Sequence, residues 1–286
     1  MKKILKRLYA FTGICAQSIV SIISVLLFSK FGEGMRLKKS FTKQHNWSIV
    51  LGNGPSLKKE IRDLSRKKNN FDFYAVNAFC ISEWFSELRP CAYVLQDNAL
   101  FEPKDDRSHK LSADIIARLN EINWPMTLFM PVRFKGKQMN RKLHNDHIRF
   151  VYYNDTPVDG FKRIRTWLYK KQLGMPRCQN VLNAVICLNI FLHYGKIFIY
   201  GADHSWTRDL FVNDENVVCY GDRHIYNTNL TILKQKINIA NILLCFSRAF
   251  ESHMLLRDFS DAEGIKIYNN TVGSFIDAYD RNGIIE

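Results

Sequence analysis

Short apolar runs recur from Trp47 to the end of the chain, and between them apolar positions return every three or four residues. Runs that stay apolar without alternating predict strands buried on both faces, and the longer period predicts helices laid across those faces. The strand candidates are Ile49–Leu51, Phe73–Val76, Ala92–Leu95, Met126–Phe129, Ile148–Tyr152, Ile197–Tyr200 and Ile265–Tyr268. The helical candidates are Leu57–Ser65, Ile81–Leu88, Leu111–Leu119, Val181–Leu192 and a long segment from Thr228 to Asp258 with room for a break near Ser247. This alternation predicts an α/β domain over 47–286, a Rossmann-like, largely parallel sheet with helices on both faces. The polar, basic stretch carrying Pro103, Pro125 and Pro131 reads as part of a variable, partly loop-borne insertion at about 106–176.

The N-terminus follows another pattern. Leu8 to Ser29 is a 22-residue run without a charge, set between Lys6-Arg7 and Lys30. It is long enough to cross a bilayer core as a helix. Gln17, Ser18, Ser21 and Ser24 dot it with a polar stripe that suits a helix lying in the interface. A secretory signal peptide fits less well, because no small-x-small cleavage site follows Phe28 and the run is long for such a segment. A buried core helix is the remaining alternative. Residues 1–30 are therefore expected to form a membrane-associated hydrophobic helix, joined by a basic linker at 31–46. Basic residues on both flanks leave its orientation open.

The net charge of +14 over 286 residues first points to nucleic acid, but its placement points elsewhere. The first 68 residues hold 15 Lys and Arg against three acidic residues, so +12 of the charge sits there and the rest of the chain is close to neutral. An anionic membrane surface is the expected partner, and nucleic acid is not. Seven cysteines, none in a C-x-x-C pair, predict reduced thiols in a cytosolic body, which places the protein at the cytoplasmic face of a membrane. The eight histidines lack metal-ligand spacing, so no metal is expected. In Phe161–Lys170 aromatic and basic residues interleave, as in single-strand binders. The helical spacing of Ile164, Trp167 and Leu168 favours an amphipathic surface helix or lid instead.

Candidate chemistry gathers at the strand ends. The first strand runs into Gly52-Asn53-Gly54-Pro55-Ser56, a turn that can bring bare backbone up to a nucleotide. Gly52 and Gly54 permit close approach, Pro55 suits a first helical position, and Ser56 offers a hydroxyl. The spacing is not the dinucleotide G-x-G-x-x-G. The second strand ends at Asn77, the third at Gln96-Asp97-Asn98, another at Gly201-Ala202-Asp203-His204-Ser205, and the last at Asn269-Asn270-Thr271. Ligands of open α/β sheets bind beyond the carboxyl ends of strands, so these tips outline one crevice. The competing reading is that Asn and Asp are turn residues bonding their own backbone.

The opening Gly-Asn-Gly-Pro-Ser-Leu-Lys, Asn77, the pairing of Asn180–Leu192 with Lys196-Ile-Phe-Ile-Tyr-Gly-Ala-Asp203, and the terminal Gly264-Ile-Lys-Ile-Tyr-Asn-Asn-Thr271 resemble the bacterial sialyltransferases of glycosyltransferase family 42. The same skeleton is similar to the wider 6-hydroxymethylpterin diphosphokinase-like group. The resemblance covers roughly residues 47–105 and 177–280 and implies a GT-A-like variant of the fold. It also implies a CMP-activated acidic sugar as co-substrate, no cofactor or metal, and inversion at the anomeric carbon. Carried over, Asn53, Gly54, Pro55 and Ser56 would hold phosphate and ribose, and Asn77 and Asp97 would contact the donor. The family has Asn where Asp97 stands. Asn180 and Val181 fall where it uses Thr-Ser against the sugar carboxylate. Ser205 stands where a Tyr steadies the leaving phosphate, which leaves Tyr220 and Tyr226 as candidates for that role.

Transfer from such a donor needs a base for the acceptor hydroxyl, and a neutral His can serve without a metal. His224 lies where the family places its catalytic His, and His204 follows Asp203 at a strand end. Asp203 and Asp97 are further candidates. A turn-bound His204 and a helix-capping His224 are the structural alternatives. Arg177 and Arg223 are candidates for phosphate or carboxylate. The expected function is transfer of a sialic acid or Kdo type sugar to a glycan or glycolipid acceptor in surface polysaccharide or lipopolysaccharide synthesis. A pterin-type pyrophosphokinase and a non-catalytic nucleotide-binding module at a membrane are the alternatives.

Overall fold

The computed structural model describes residues 2–225 and 227–284. Chain order runs α1 (Lys2–Phe28), α2 (Leu37–Ser40), β1 (Trp47–Leu51), α3 (Leu57–Arg66), β2 (Asp72–Val76), α4 (Phe85–Leu88) and β3 (Ala92–Val94). It continues through α5 (Asn98–Phe101), α6 (Asp106–Asn120), β4 (Met126–Pro131), α7 (Gln138–Lys142), β5 (Ile148–Tyr153), α8 (Lys162–Lys170) and α9 (Val181–Phe191). It closes with β6 (Lys196–Tyr200), β7 (Leu210–Val212), β8 (Val218–His224), β9 (Asn227–Lys234), α10 (Ile239–Ala262) and β10 (Lys266–Asn269).

Each apolar run enters one sheet of order β10-β6-β1-β2-β3-β4-β5, with every neighbouring pair parallel. Successive side chains of a strand point to opposite faces, so two cores form. Val50, Ile197 and Ile199 face the core built on α9 and α10, whereas Ile49, Leu51, Phe198 and Tyr200 face the one under α3 and α6. Helix α3 buries Leu57, Ile61 and Leu64, one stripe at helical spacing, and α9 is buried along its whole length. Strand order reverses between β1 and β6, the topological switch point where such sheets leave a crevice.

Three elements differ from the sequence expectation. The helix expected from Thr228 is instead strand β9 followed by α10, because Asn227–Lys234 pairs antiparallel with β8 and the Asn238 side chain caps the helix start. From there α10 runs unbroken past Ser247 to Ala262. Ile81–Leu88 is a 3-10 turn over Asn77–Ile81 and the one-turn α4, since Arg89 turns left-handed ahead of Pro90. The stretch 106–176, expected as a partly loop-borne insertion, is part of the body: α6, β4 and β5 lie within it, and β4 and β5 are strands of the main sheet.

Helix α1 includes Arg7–Phe28, one helix long and apolar enough to cross a membrane by length and composition. Its serines point inward rather than to headgroup water: Ser18, Ser21 and Ser29 are buried, while Gln17 is exposed. In the linker, Leu37 and Phe41 pack into the core beside α9.

At the switch point β1 and β6 exit almost in contact. Gly52 N–H donates to the Tyr200 carbonyl at 2.8 Å and Gly54 N–H to the Gly201 carbonyl at 2.9 Å. A Cβ on Gly52 would collide with the Gly201 carbonyl oxygen, which is backbone and has nowhere to go. Gly52→Ala is therefore expected to destabilise the protein by about 1–3 kcal/mol in urea unfolding, the usual cost of overpacking.

Candidate functional site

A cavity of about 920 Å³ opens at the carboxyl ends of the central strands, at the switch point. It is lined by Asn53, Gly54, Pro55, Asn77, Asp97, Asn180, Gly201, Asp203, His204, Ser205 and His224, and by Arg177 and Arg223. Residues more than 170 positions apart in sequence thus share one wall.

The glycine turn does less for a ligand than its pattern implies. The N–H groups of Gly52 and Gly54 are spent on the β6 exit. Ser56 does not line the cavity; its Oγ donates to Asp203 Oδ2 at 2.7 Å, and its N–H bonds the same carboxylate. Gly54 is required because a Cβ there would meet that carboxylate. Burial raises the Asp203 pKa, and the two Ser56 bonds oppose the rise. The turn therefore holds Asp203 in place at the floor. Asn53 carries the polar contribution: its Nδ2 donates to the Val76 carbonyl at 3.3 Å, and its buried Oδ1 has no partner among the described residues. A buried acceptor without a donor is costly unless a ligand or water meets it.

Asn77 stands at the end of β2 with φ +43°, a conformation uncommon for a residue with a side chain. Its Oδ1 accepts from Gln96 N–H at 3.2 Å, and its carbonyl accepts from the Tyr93 hydroxyl, which locks the two strand tips together. Asp97 caps α5 through Ala99 N–H at 3.0 Å and still faces the cavity.

The last strand tip is structural, contrary to expectation. Asn269 is fully buried and bonds Ser274 and the Ile276 carbonyl, Asn270 bonds Tyr200 and Gly283, and Thr271 Oγ1 accepts from Ala202 N–H at 3.0 Å. These polar groups tie the C-terminal loop together and bind it to β6 and its exit, and none of the three residues lines the cavity. Tyr220 packs edge-on against Phe246 outside the cavity wall, and Tyr226 lies outside the described residues.

Sequence reasoning missed the far wall. Arg133 follows β4 and Asp155 follows β5, and they pair at 2.9 Å. Gln96 Nε2 donates to the same Asp155 oxygen at 3.1 Å, and Arg133 reaches Asn98 at 2.8 Å. The rule that exposes them is the strand-end rule already applied to β1, β2 and β3, but their segment reads as an insertion. Arg208, Asp209 and Trp206 enter from the 3-10 turn after β6, with Trp206 against the His204 ring at 4.3 Å between centroids.

The two histidines differ. His224 ends β8, and Ile225 next to it is anchored by its N–H to the Asn53 carbonyl at 2.8 Å, with its side chain in the core. That bond brings the hairpin tip over the glycine turn. His204 is buried, has φ +49°, and its Nε2 lies 2.6 Å from Asn180 Nδ2 and 3.2 Å from His253 Nε2. Asn180 Oδ1 accepts from Leu182 and Asn183 N–H at the start of α9, so its Nδ2 must donate. His204 Nε2 is thus an acceptor already engaged by Asn180, with His253 Nε2 packed beside it and the Tyr279 hydroxyl 3.0 Å from His253 Nδ1. Desolvation, with His253 beside it, holds the His204 pKa well below 6.5, and desolvation pushes His253 down to about 3. Both stay neutral at pH 7.

No known protein-family model matches this chain, and no curated protein matches it. Among solved structures it is similar to the MAf glycosyltransferase from Magnetospirillum magneticum AMB-1, with a TM-score of 0.50 at 12% identity. The fold is glycosyltransferase-like. The match covers 87% of this chain but only 37% of that enzyme, so this chain corresponds to a part of it.

A buried histidine kept neutral binds its proton more readily when unfolded. Stability is therefore complete above pH 6.5 and is lost as pH falls from 6.5 toward about 3. For His253 this costs about 2 kcal/mol between pH 7.5 and 5, at ~1.4 kcal/mol per unit once titration is complete, and His204 adds to the loss in the same direction. Urea unfolding at both pH values is expected to show a shallower acid loss in His253→Gln, by about 2 kcal/mol.

Proposed function

We propose that the chain is a metal-independent, inverting glycosyltransferase that takes an acidic sugar from a CMP-activated donor. The observation that carries this reading is the polar cavity at the switch point of a glycosyltransferase-like fold. Its volume suits a nucleotide sugar. The donor would present two anions, the bridging phosphate and the sugar carboxylate. Arg177 and Arg208 line the cavity, and neither is in an ion pair among the described residues. Arg133 and Arg223, by contrast, are committed to Asp155 and Asp209. The start of α9, with Gln179, Asn180 and Val181 at the wall, adds the positive end of a helix dipole. Trp206 offers a flat surface for the cytosine ring, and Asn53 Oδ1 an acceptor for a ribose hydroxyl or base amine.

His224 is the base in this scheme: it lines the cavity at the end of β8, whereas His204 is buried with its Nε2 against Asn180. The acceptor oxygen attacks the anomeric carbon as His224 takes its proton. The bond from that carbon to the phosphate oxygen breaks, and CMP leaves with the electron pair while Arg177 and Arg208 hold the developing charge. His204 and Asp203 then act as positioning residues for Asn180 and the glycine turn. The sialyltransferase resemblance supports the choice of CMP, and the acceptor is a glycan of surface polysaccharide or a glycolipid.

Calorimetry with CMP, UDP and ATP–Mg²⁺ separates this from the pyrophosphokinase reading: CMP is expected to bind without metal, and a preference for ATP–Mg²⁺ would overturn it. His224→Ala is expected to lose transfer by about 10²–10⁴-fold, the usual share of a general base, while keeping CMP affinity. Full activity in that variant would remove His224 from the mechanism.

A further inference from the structure

Helix α1 does not hang free of the body. Ser18, Ser21, Val25 and Ser29, spaced three and four residues apart, are buried along one face. Ser21 Oγ accepts from Asp159 N–H at 2.9 Å and donates to the Asp159 carbonyl at 3.1 Å. Ser18 Oγ accepts from Phe161 N–H at 2.9 Å, and Ser29 Oγ donates to the Leu173 carbonyl at 2.5 Å. Gly160, at φ +98°, is the point of closest approach, where a Cβ would meet Ser18. Phe11 meets Phe161 edge-on at 5.7 Å.

This seam decides between a helix that crosses a bilayer and one that lies along it. The partners are backbone groups of irregular loops, which cannot sit in hydrocarbon facing lipid. From Ser18 to Ser29 the helix must therefore lie at the depth of the body. The eleven residues from Arg7 to Gln17 remain, and at about 1.5 Å per residue they reach about 16 Å, half of the ~30 Å a crossing needs.

The opposite face is apolar and open. Ile19, Val20, Ile22, Ile23, Leu26 and Leu27 are all exposed, between 41% and 67%. A soluble surface rarely carries so continuous an apolar strip. In α8, which follows the loop that holds α1, Trp167 and Arg163 are exposed one turn apart, the pairing of an interfacial aromatic and a cation. Chain charge is complementary to an anionic leaflet, since +12 lies in the first 68 residues. Ser24 and Phe28 of the same helix line the catalytic cavity.

We propose that α1 lies flat in the interface of an anionic bilayer as the membrane-embedded lip of the cavity, and that the acceptor enters as a lipid-linked saccharide from that leaflet. The second clause rests on the transferase reading; the first stands without it. The test uses the full chain with vesicles of phosphatidylglycerol and phosphatidylcholine, and spin labels placed singly at positions 13, 20, 23 and 27. Labels at 20, 23 and 27 are expected at similar shallow depth, about 5–10 Å below the phosphates. A profile deepest near position 17 and shallow at both ends would overturn the proposal in favour of a crossing helix. Failure to bind vesicles, with concentration-dependent dimers in sedimentation, would overturn it in favour of a second copy on this face.

Ile23→Asp with Leu27→Asp is expected to weaken vesicle binding at least about tenfold, since polar substitution removes buried apolar area, while the thermal melt and CMP binding stay unchanged. The same variant should lose transfer to a lipid-anchored acceptor and keep transfer to the matching water-soluble glycan. Equal transfer to both acceptors would overturn the second clause. Absence of CMP binding in the unaltered chain, with the shallow depth profile intact, would sink the transferase reading and leave the membrane seat standing.

Discussion

The architecture turns on the contact between the exits of β1 and β6. Gly52 and Gly54 hand their N–H groups to Tyr200 and Gly201, and Ser56 holds the Asp203 carboxylate from two sides. No side chain fits between these turns. The contact sets the floor of the cavity, and the Ile225 N–H bond to Asn53 hangs the hairpin of His224 from the same point. A turn that looks like a phosphate cradle is thus chiefly a structural joint, and ligand recognition passes to the side chains around it. That division matters for mechanism. Backbone amides already engaged cannot also stabilise a leaving phosphate, so in the proposed transfer that charge would fall to arginines and the start of α9.

Much of the fold is legible in the sequence because parallel strands buried on both faces read as unbroken apolar runs. The inner strands β1, β2, β3 and β6 show this most clearly, while the edge strands β5 and β10 expose Arg149 and Lys266 and are marked by shorter apolar stretches. The β8–β9 hairpin is harder to see, since Asn227–Lys234 mixes threonine, leucine and isoleucine in an order compatible with helix or strand, and a true helix follows directly. The same ambiguity governs polar strand tips. Asn53 and Asn77 face the cavity, whereas Asn269, Asn270 and Thr271 bond the C-terminal loop and the exit of β6, and only tertiary structure separates the two cases. Arg133 and Asp155 were hidden by their surroundings: a basic, proline-bearing segment resembles an insertion until its strands are seen in the sheet.

The histidine chain shows how a fold can settle chemistry by occupying lone pairs. Asn180 is fixed by its capping bonds, so it must donate to His204, and the His253 ring packs against the same nitrogen. What sequence position offered as a second base is a buried neutral acceptor. Helix α1 shows the converse. A serine stripe that reads as a polar face toward headgroups is the seam to the body, and the face left outward is the apolar one.

The central claim is that the cavity beyond β1 and β6 is where a cytidylate binds. Photolabelling of the full chain with 5-azido-CMP, followed by peptide mapping, addresses it most directly. The account predicts label on peptides carrying Asn53, Asp97 or Trp206, suppressed by unmodified CMP. Label confined to peptides outside the cavity wall, or label that CMP does not displace, would contradict it.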